Sequence, residues 1–228
     1  MVVGMKKVIL TAVVVVALGI AALLFEANIN GYIADPAIHY SYLTPSPNDR
    51  FVFVMLGPKP FFPSANLWRD EQMELSRQIQ TKYSSSGLYP NDGSIKPLWE
   101  MGQYSWKVFV PSDGIHLARP APWPSTASDE ALSFYEHGKM IRSYRVRDLV
   151  DVPWFLPGGH GRFAWAKDIN LDDRNGKLIV NTNHFDHYVF DMATGSISSA
   201  RRPGRVIALA LGLAVLSLFV WRRRTRSV

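Results

Sequence analysis

The chain has 228 residues, enough for one ordinary domain with extensions, and 47% of them are hydrophobic. It contains no cysteine, which excludes disulfides and thiolate metal sites. Its net charge of +6 resides in the tails, because Glu26 to Arg205 holds 19 basic and 19 acidic residues; a nucleic-acid partner is therefore excluded.

Lys6 and Lys7 precede Val8 to Phe25, 18 residues without a charge. A bilayer core of about 30 Å needs about 20 helical residues, so 8–25 is predicted as a membrane helix behind a short cytoplasmic tail, 1–7. A signal peptide begins in the same way. Phe25 would occupy a small-residue cleavage position, however, and an uncleaved anchor is expected. No lysine or arginine occurs from Glu26 to Asp49, so the chain beyond this helix is expected outside the cytoplasm.

Residues 26–50 are rich in Pro, Asn, Tyr and Ser and read as an extended juxtamembrane segment. Phe51 to Leu56 is an unbroken apolar run and predicts a buried strand. Gly57, Pro58, Pro60 and Pro63 interrupt it. From about Asn66 to Lys82 the period turns helical. Trp68, Leu75, Ile79 and Tyr83 are expected on its buried face, opposite Arg69, Asp70, Glu71, Glu74 and Arg77.

From Gly87 to Ser199 the chain reads as strands and turns. Turn signals recur at Asn91-Asp92-Gly93, Ser112-Asp113-Gly114, His137-Gly138, Asn175-Gly176 and Thr194-Gly195. Three hairpins look alike: Leu88-Tyr89 to Gly93 and Ile95, Leu132–Tyr135 to Gly138 and Ile141, Tyr188–Asp191 to Gly195 and Ile197. Their spacing is near the roughly 40 to 50 residues of a propeller blade. Further strands are expected at Trp106–Val110, Ile115–Arg119, Phe163–Ile169 and Lys177–Asn181.

The run VFVPSDGIHLARPAPW followed by EALSFYEHGKMIRSY resembles one blade of bacterial extracytoplasmic β-propellers. It is also similar to uncharacterised bacterial membrane-anchored proteins. The resemblance covers about 110 residues, and its motifs are short. Closed propellers need at least about four blades, and three repeats fill this chain. The expected fold is therefore mainly β: antiparallel sheets in about three blade-like repeats, as an open propeller-like stack or a sandwich, plus one amphipathic helix, within 26–204. No functional residue is carried over from the resemblance.

Candidate sites are sparse. Asp168, Asn170, Asp172, Asp173 and Asn175 alternate like the start of a calcium loop. Asp173 stands where that loop needs Gly, and Ile179 where it needs Glu, so a polar hairpin turn is expected. His184, Asp186 and His187 are a weak metal candidate, because histidines three apart on a strand point to opposite faces. Gly158-Gly159-His160-Gly161 lacks the setting of a phosphate loop and reads as a linker. Asp129, Glu130, Glu136, Ser125 and Ser128 form no ordered acid–base pair or triad. Trp106, Trp123, Trp154 and Trp165, with Trp99, are either core or a binding surface. No cofactor motif is present.

Val206 to Trp221 is 16 residues without a charge, bounded by Arg205 and Arg222, and predicts a second membrane helix, 205–221. Arg222, Arg223, Arg224 and Arg226 make 222–228 a basic cytoplasmic tail, although Arg201, Arg202 and Arg205 flank the other side. The pattern resembles the tail of surface-sorting signals, but ARRPGRV lacks the recognition motif, and a plain anchor is expected. The sequence thus suggests a two-pass protein of the bacterial inner membrane with both termini cytoplasmic. Its central domain is expected to be a non-catalytic binding, sensor or scaffold domain of an envelope complex. The expected partners are the lipid bilayer and another envelope or membrane protein. The alternatives are an envelope hydrolase using blade-end loops and a surface-sorted protein.

Overall fold

The computed structural model describes residues 40–58, 70–121, 124–151, 158–159 and 162–203, together with Val206, Leu209, Gly212, Leu213 and Ser217. The first predicted membrane helix, Lys6, Lys7 and the arginines of the C-terminal tail lie outside them, as does most of the second. Among the described residues no helix is long and apolar enough to cross a membrane.

The domain is mainly β, with three consecutive antiparallel sheets. The first contains β1 (Tyr42–Pro45), β2 (Phe51–Met55), β3 (Gly87–Pro90) and β4 (Trp99–Glu100). The second contains β5 (His116–Pro120), β6 (Glu130–Glu136) and β7 (Lys139–Arg145). A small hairpin, β8 (Gly158–Gly159) and β9 (Arg162–Phe163), precedes the third. That sheet contains β10 (Ala166–Asp172), β11 (Lys177–Thr182), β12 (His187–Asp191) and β13 (Ile197–Arg201). In each sheet the strands follow one another in chain order, the meander of a propeller blade.

The predicted strand at Trp106–Val110 is reduced to one bridge, Phe109 to Ala118, on the edge of β5 where a fourth strand belongs. The Ser105 hydroxyl donates to the Lys107 and Pro120 carbonyls and competes for the acceptors a longer ladder would use. The first predicted hairpin also closes later than expected. Local bonds from the Ser94 amide to Asp92, and from the Lys96 amide to the Ser94 hydroxyl, hold the chain in a loop until β4. Ile95 is consequently exposed. The other two hairpins form as predicted. At His137-Gly138 both residues have positive φ, 48° and 75°, the two-residue turn that matches strand twist. All five predicted turn glycines, Gly93, Gly114, Gly138, Gly176 and Gly195, have positive φ.

The sheets stack through two apolar layers. Phe53, Met55, Leu88 and Trp99 meet Val108, Val110, Leu117 and Tyr135 between the first and second. Leu132 and Phe134 meet Leu178, Val180, Tyr188 and Phe190 between the second and third. β2 is apolar on both faces because its other side, Val52 and Val54, is covered by Ile79 of helix α1 (Asp70–Lys82) and by Tyr83 just past its end. A short helix, α2 (Val146–Leu149), extends the second layer with Val146 and Leu149.

The buried stripe of α1 differs from the expected one. Ser76, Ile79 and Tyr83 face the sheet, Leu75 is 53% exposed, and Trp68 lies outside the described residues. The Ser41 amide donates to the Ser76 hydroxyl at 2.9 Å, which turns that residue inward in place of Leu75.

The far face of the third sheet is polar. Its rungs pair Lys177 with Asp191, Ile179 with Val189 and Asn181 with His187, and Asp168, Asn170 and Asp172 extend them. Only Ile179 and Val189 are apolar there. The stack therefore begins under a helix and ends on a hydrophilic surface.

Candidate binding surface

The β1–β2 turn, the turn leading into β5 and the β10–β11 turn lie at one end of the stack, and side chains tie these turns together. Asn48, in the β1–β2 turn, donates to the Ser112 carbonyl at 3.1 Å. The Ser112 amide and hydroxyl donate to the Asp173 carboxylate, at 2.7 and 2.6 Å, in the β10–β11 turn. The last turns of the second and third sheets seat on the preceding sheet. A Cβ at Gly138 would collide with the Glu100 carbonyl, and one at Gly195 would lie 2.9 Å from Phe134 and Arg142. Gly93, in the first sheet, has nothing within 4 Å among the described residues.

This turn end carries exposed apolar side chains on the last strand or last turn of every sheet: Ile95 and Leu98, then Met140, then Ile197. They line the outer rim, with β7 and β13 as its exposed edges. Nearby, burial would raise the Asp113 carboxyl, but hydrogen bonds from the His116 ring and the His116 and Ile115 amides outweigh it and hold Asp113 below the usual carboxylate range.

The opposite end receives both chain exits. β1 starts there, and β13, the fourth strand of its meander, finishes there. The N-terminal exit is fixed by two tyrosines: the Tyr104 hydroxyl donates to the Tyr40 carbonyl at 3.1 Å and the Tyr42 hydroxyl to the Ser105 carbonyl at 2.7 Å. Burial pushes the Tyr104 phenol up to about 12, and burial together with Tyr104 pushes Tyr42 up further, so both stay protonated donors. The C-terminal exit is fixed by Arg202, which pairs with Asp151 at 2.8 Å and stacks over Tyr188. Pro203, Val206, Leu209, Gly212, Leu213 and Ser217 beyond it are helical, and Val206, Leu209 and Leu213 are exposed.

The tryptophans separate. Trp106 is exposed at the exit end, whereas Trp165 and Trp99 are buried core residues and not surface. Trp123 and Trp154 lie outside the described residues.

The carboxylates serve the fold. Asp168 accepts from Asn170 and Asn181, and Asp172 from Asn175. The run is the polar turn the sequence predicts, with Asp173 turned toward Ser112. Asp129 accepts from the Thr126 hydroxyl and the Ser125 and Thr126 amides, and these bonds lower its carboxyl below the usual range. Glu130 pairs with buried Arg119. His184 is buried in the β11–β12 loop, while His187 sits on β12 with Nδ1 at 2.7 Å from the Asn181 amide oxygen. Among the described residues no group of three or more His, Asp or Glu side chains could hold a metal ion. Of the glycine-rich linker, Gly158 and Gly159 pair with Phe163 and Arg162 as a hairpin, and His160 and Gly161 lie outside the described residues.

No family model matches the chain, and no curated protein does. Among solved structures, the WD40 beta propeller domain of Doa1 is similar, with 10% identity and a TM-score of 0.30 over 69% of this chain and 53% of that one. The chain spans about half the length of that neighbour.

Proposed function

We propose that the chain is a membrane-tethered, non-catalytic binding or scaffold protein whose three-sheet domain stands outside the cytoplasm between two apolar anchors. The observation that carries this reading is the common exit: Tyr42 and Arg201 stand at the same end of the stack. Two apolar segments leaving one end can enter one bilayer without crossing the domain. Helical Val206, Leu209 and Leu213 are exposed and spaced as one face of a helix, in keeping with a lipid environment.

The turn end then points away from the membrane. Its rim of Ile95, Leu98, Met140 and Ile197 supports the docking of another envelope protein. The basic tails support cytoplasmic termini and a periplasmic or extracellular domain in a bacterial inner membrane.

The cysteine-free chain makes the topology directly testable. Single variants Asp92→Cys and Ser227→Cys are treated with a membrane-impermeant maleimide on spheroplasts. Labelling at position 92 without lysis, and at position 227 only after lysis, is the expected result. The reverse pattern, or a chain released by carbonate washing, overturns the reading.

A further inference from the structure

The β11–β12 loop holds one aromatic ring outward by burying everything around it. The Thr182 hydroxyl accepts from the His184 and Asp186 amides, and the Thr182 amide donates to the Asp186 carbonyl at 2.8 Å. Asn183 is bonded to Ala164 and Trp165 through its side chain and amide. Thr182, Asn183, His184 and Asp186 are all buried, whereas Phe185 between them is 42% exposed. Phe185 also has φ of +65°, a conformation unfavourable for a bulky side chain. The fold thus holds Phe185 in a costly conformation while leaving 42% of it open, which points to a contact outside the domain.

The height of this ring is set by the neighbouring strand. His187 pairs with Arg201 across β12 and β13. Phe185 lies two residues past that rung, which is at most about 7 Å toward the exit end. Pro203, two residues past Arg201, is at most about 7 Å further on, and Val206, the first residue of the second apolar run, lies about 4.5 Å beyond Pro203 along a helix. The ring and the start of the apolar run therefore stand at the same end of the stack, within about one helical turn of each other. Exposed Trp106 is at the same end.

We propose that Phe185 is an interfacial lipid anchor, its ring seated at the headgroup–acyl boundary of the bilayer that holds the C-terminal helix. This rests on the two-anchor reading above. Aromatic rings are stable at this boundary, and a shallow anchor beside a transmembrane helix restrains the tilt of the domain.

The test uses the full chain in phosphatidylcholine vesicles, with a nitroxide on single cysteines at Phe185→Cys, Leu213→Cys and Asp92→Cys. Relaxation by oxygen and by a water-soluble nickel chelate reports depth. The expected result is a nickel-protected, oxygen-accessible label at 213, a nickel-accessible label at 92, and several-fold lower nickel access at 185 than at 92. A label at 185 as open to nickel as the one at 92, with 213 still protected, overturns the lipid anchor and leaves the tether standing. Nickel access at 213 overturns the tether and the anchor with it. Protection at 185 that occurs in native membranes but not in pure lipid assigns the contact to a protein and also overturns the proposal.

Discussion

Ser112 and Asp173, 61 residues apart in sequence, are joined by two hydrogen bonds onto a single carboxylate. One comes from the serine backbone and one from its hydroxyl. The pair fastens the turn that leads into the second sheet to the first turn of the third, so its energy belongs to the interface between repeats.

Removing the carboxylate with Asp173→Ala should destabilise the domain by about 2 kcal/mol, within the range for hydrogen bonds to charged acceptors. Asp173→Asn keeps an oxygen acceptor and should cost about half as much. Urea unfolding followed by tryptophan fluorescence measures both. Added calcium should leave the wild-type midpoint unchanged, because the oxygens that resemble a calcium loop are already bonded to serine and asparagine.

The repeat glycines should respond unequally to one methyl group. Gly93→Ala meets open space and should cost only its backbone conformation, about 1 kcal/mol. Gly138→Ala adds a collision with the Glu100 backbone and should cost at least about 2 kcal/mol more. Equal losses in thermal unfolding would contradict the seating of the second repeat on the first.

On α1, Ile79→Ala should cost about 2 to 4 kcal/mol, as a buried isoleucine does. Leu75→Ala should change stability by no more than about 0.5 kcal/mol. The same contrast is expected between buried Trp165 and exposed Trp106. Chemical unfolding of the four alanine variants separates core from surface.

Acid should weaken the domain through depressed carboxyls. Asp191 is lowered chiefly by its bond from Lys177, against burial and with help from Thr194; Asp129 is lowered by Thr126 and Ser125; Asp113 is lowered by His116 and Ile115 against burial. A folded value below the unfolded one, near about 3.9, means the stabilisation is complete above that pH. It is lost as pH falls through the folded values. Melting temperature should thus decline below about pH 4. Asp191→Asn should reduce that decline, as a pH series of thermal scans will show.

Local features of this fold were legible in the sequence. Asn-Gly, Asp-Gly and His-Gly pairs specify positive φ within a few residues, and all five predicted glycine turns form. The unbroken run of Phe51 to Leu56 marked a strand with two covered faces. Features set by distant partners were not legible. Nothing near Asp173 indicates that Ser112 takes its carboxylate. Ser76 takes the buried place expected of Leu75 because Ser41 supplies a backbone donor. Trp165 and Trp106 are alike as residue types, and only the stacking of the second and third sheets decides which one is buried. Phe185 is not legible because its signal is conformational: an aromatic residue in a left-handed turn leaves no pattern of period or charge.

The two unlike ends of the stack also govern self-association. Each sheet-on-sheet layer here is heterologous, one face of a repeat against the opposite face of the next, and such contacts between molecules would propagate into filaments. α1 occupies the leading face through Ile79, with Tyr83 just past its end, and the Lys177–Asp191 and Asn181–His187 rungs keep the trailing face wet. The same residues that finish the core therefore leave neither outer face of the described stack ready to receive a further repeat.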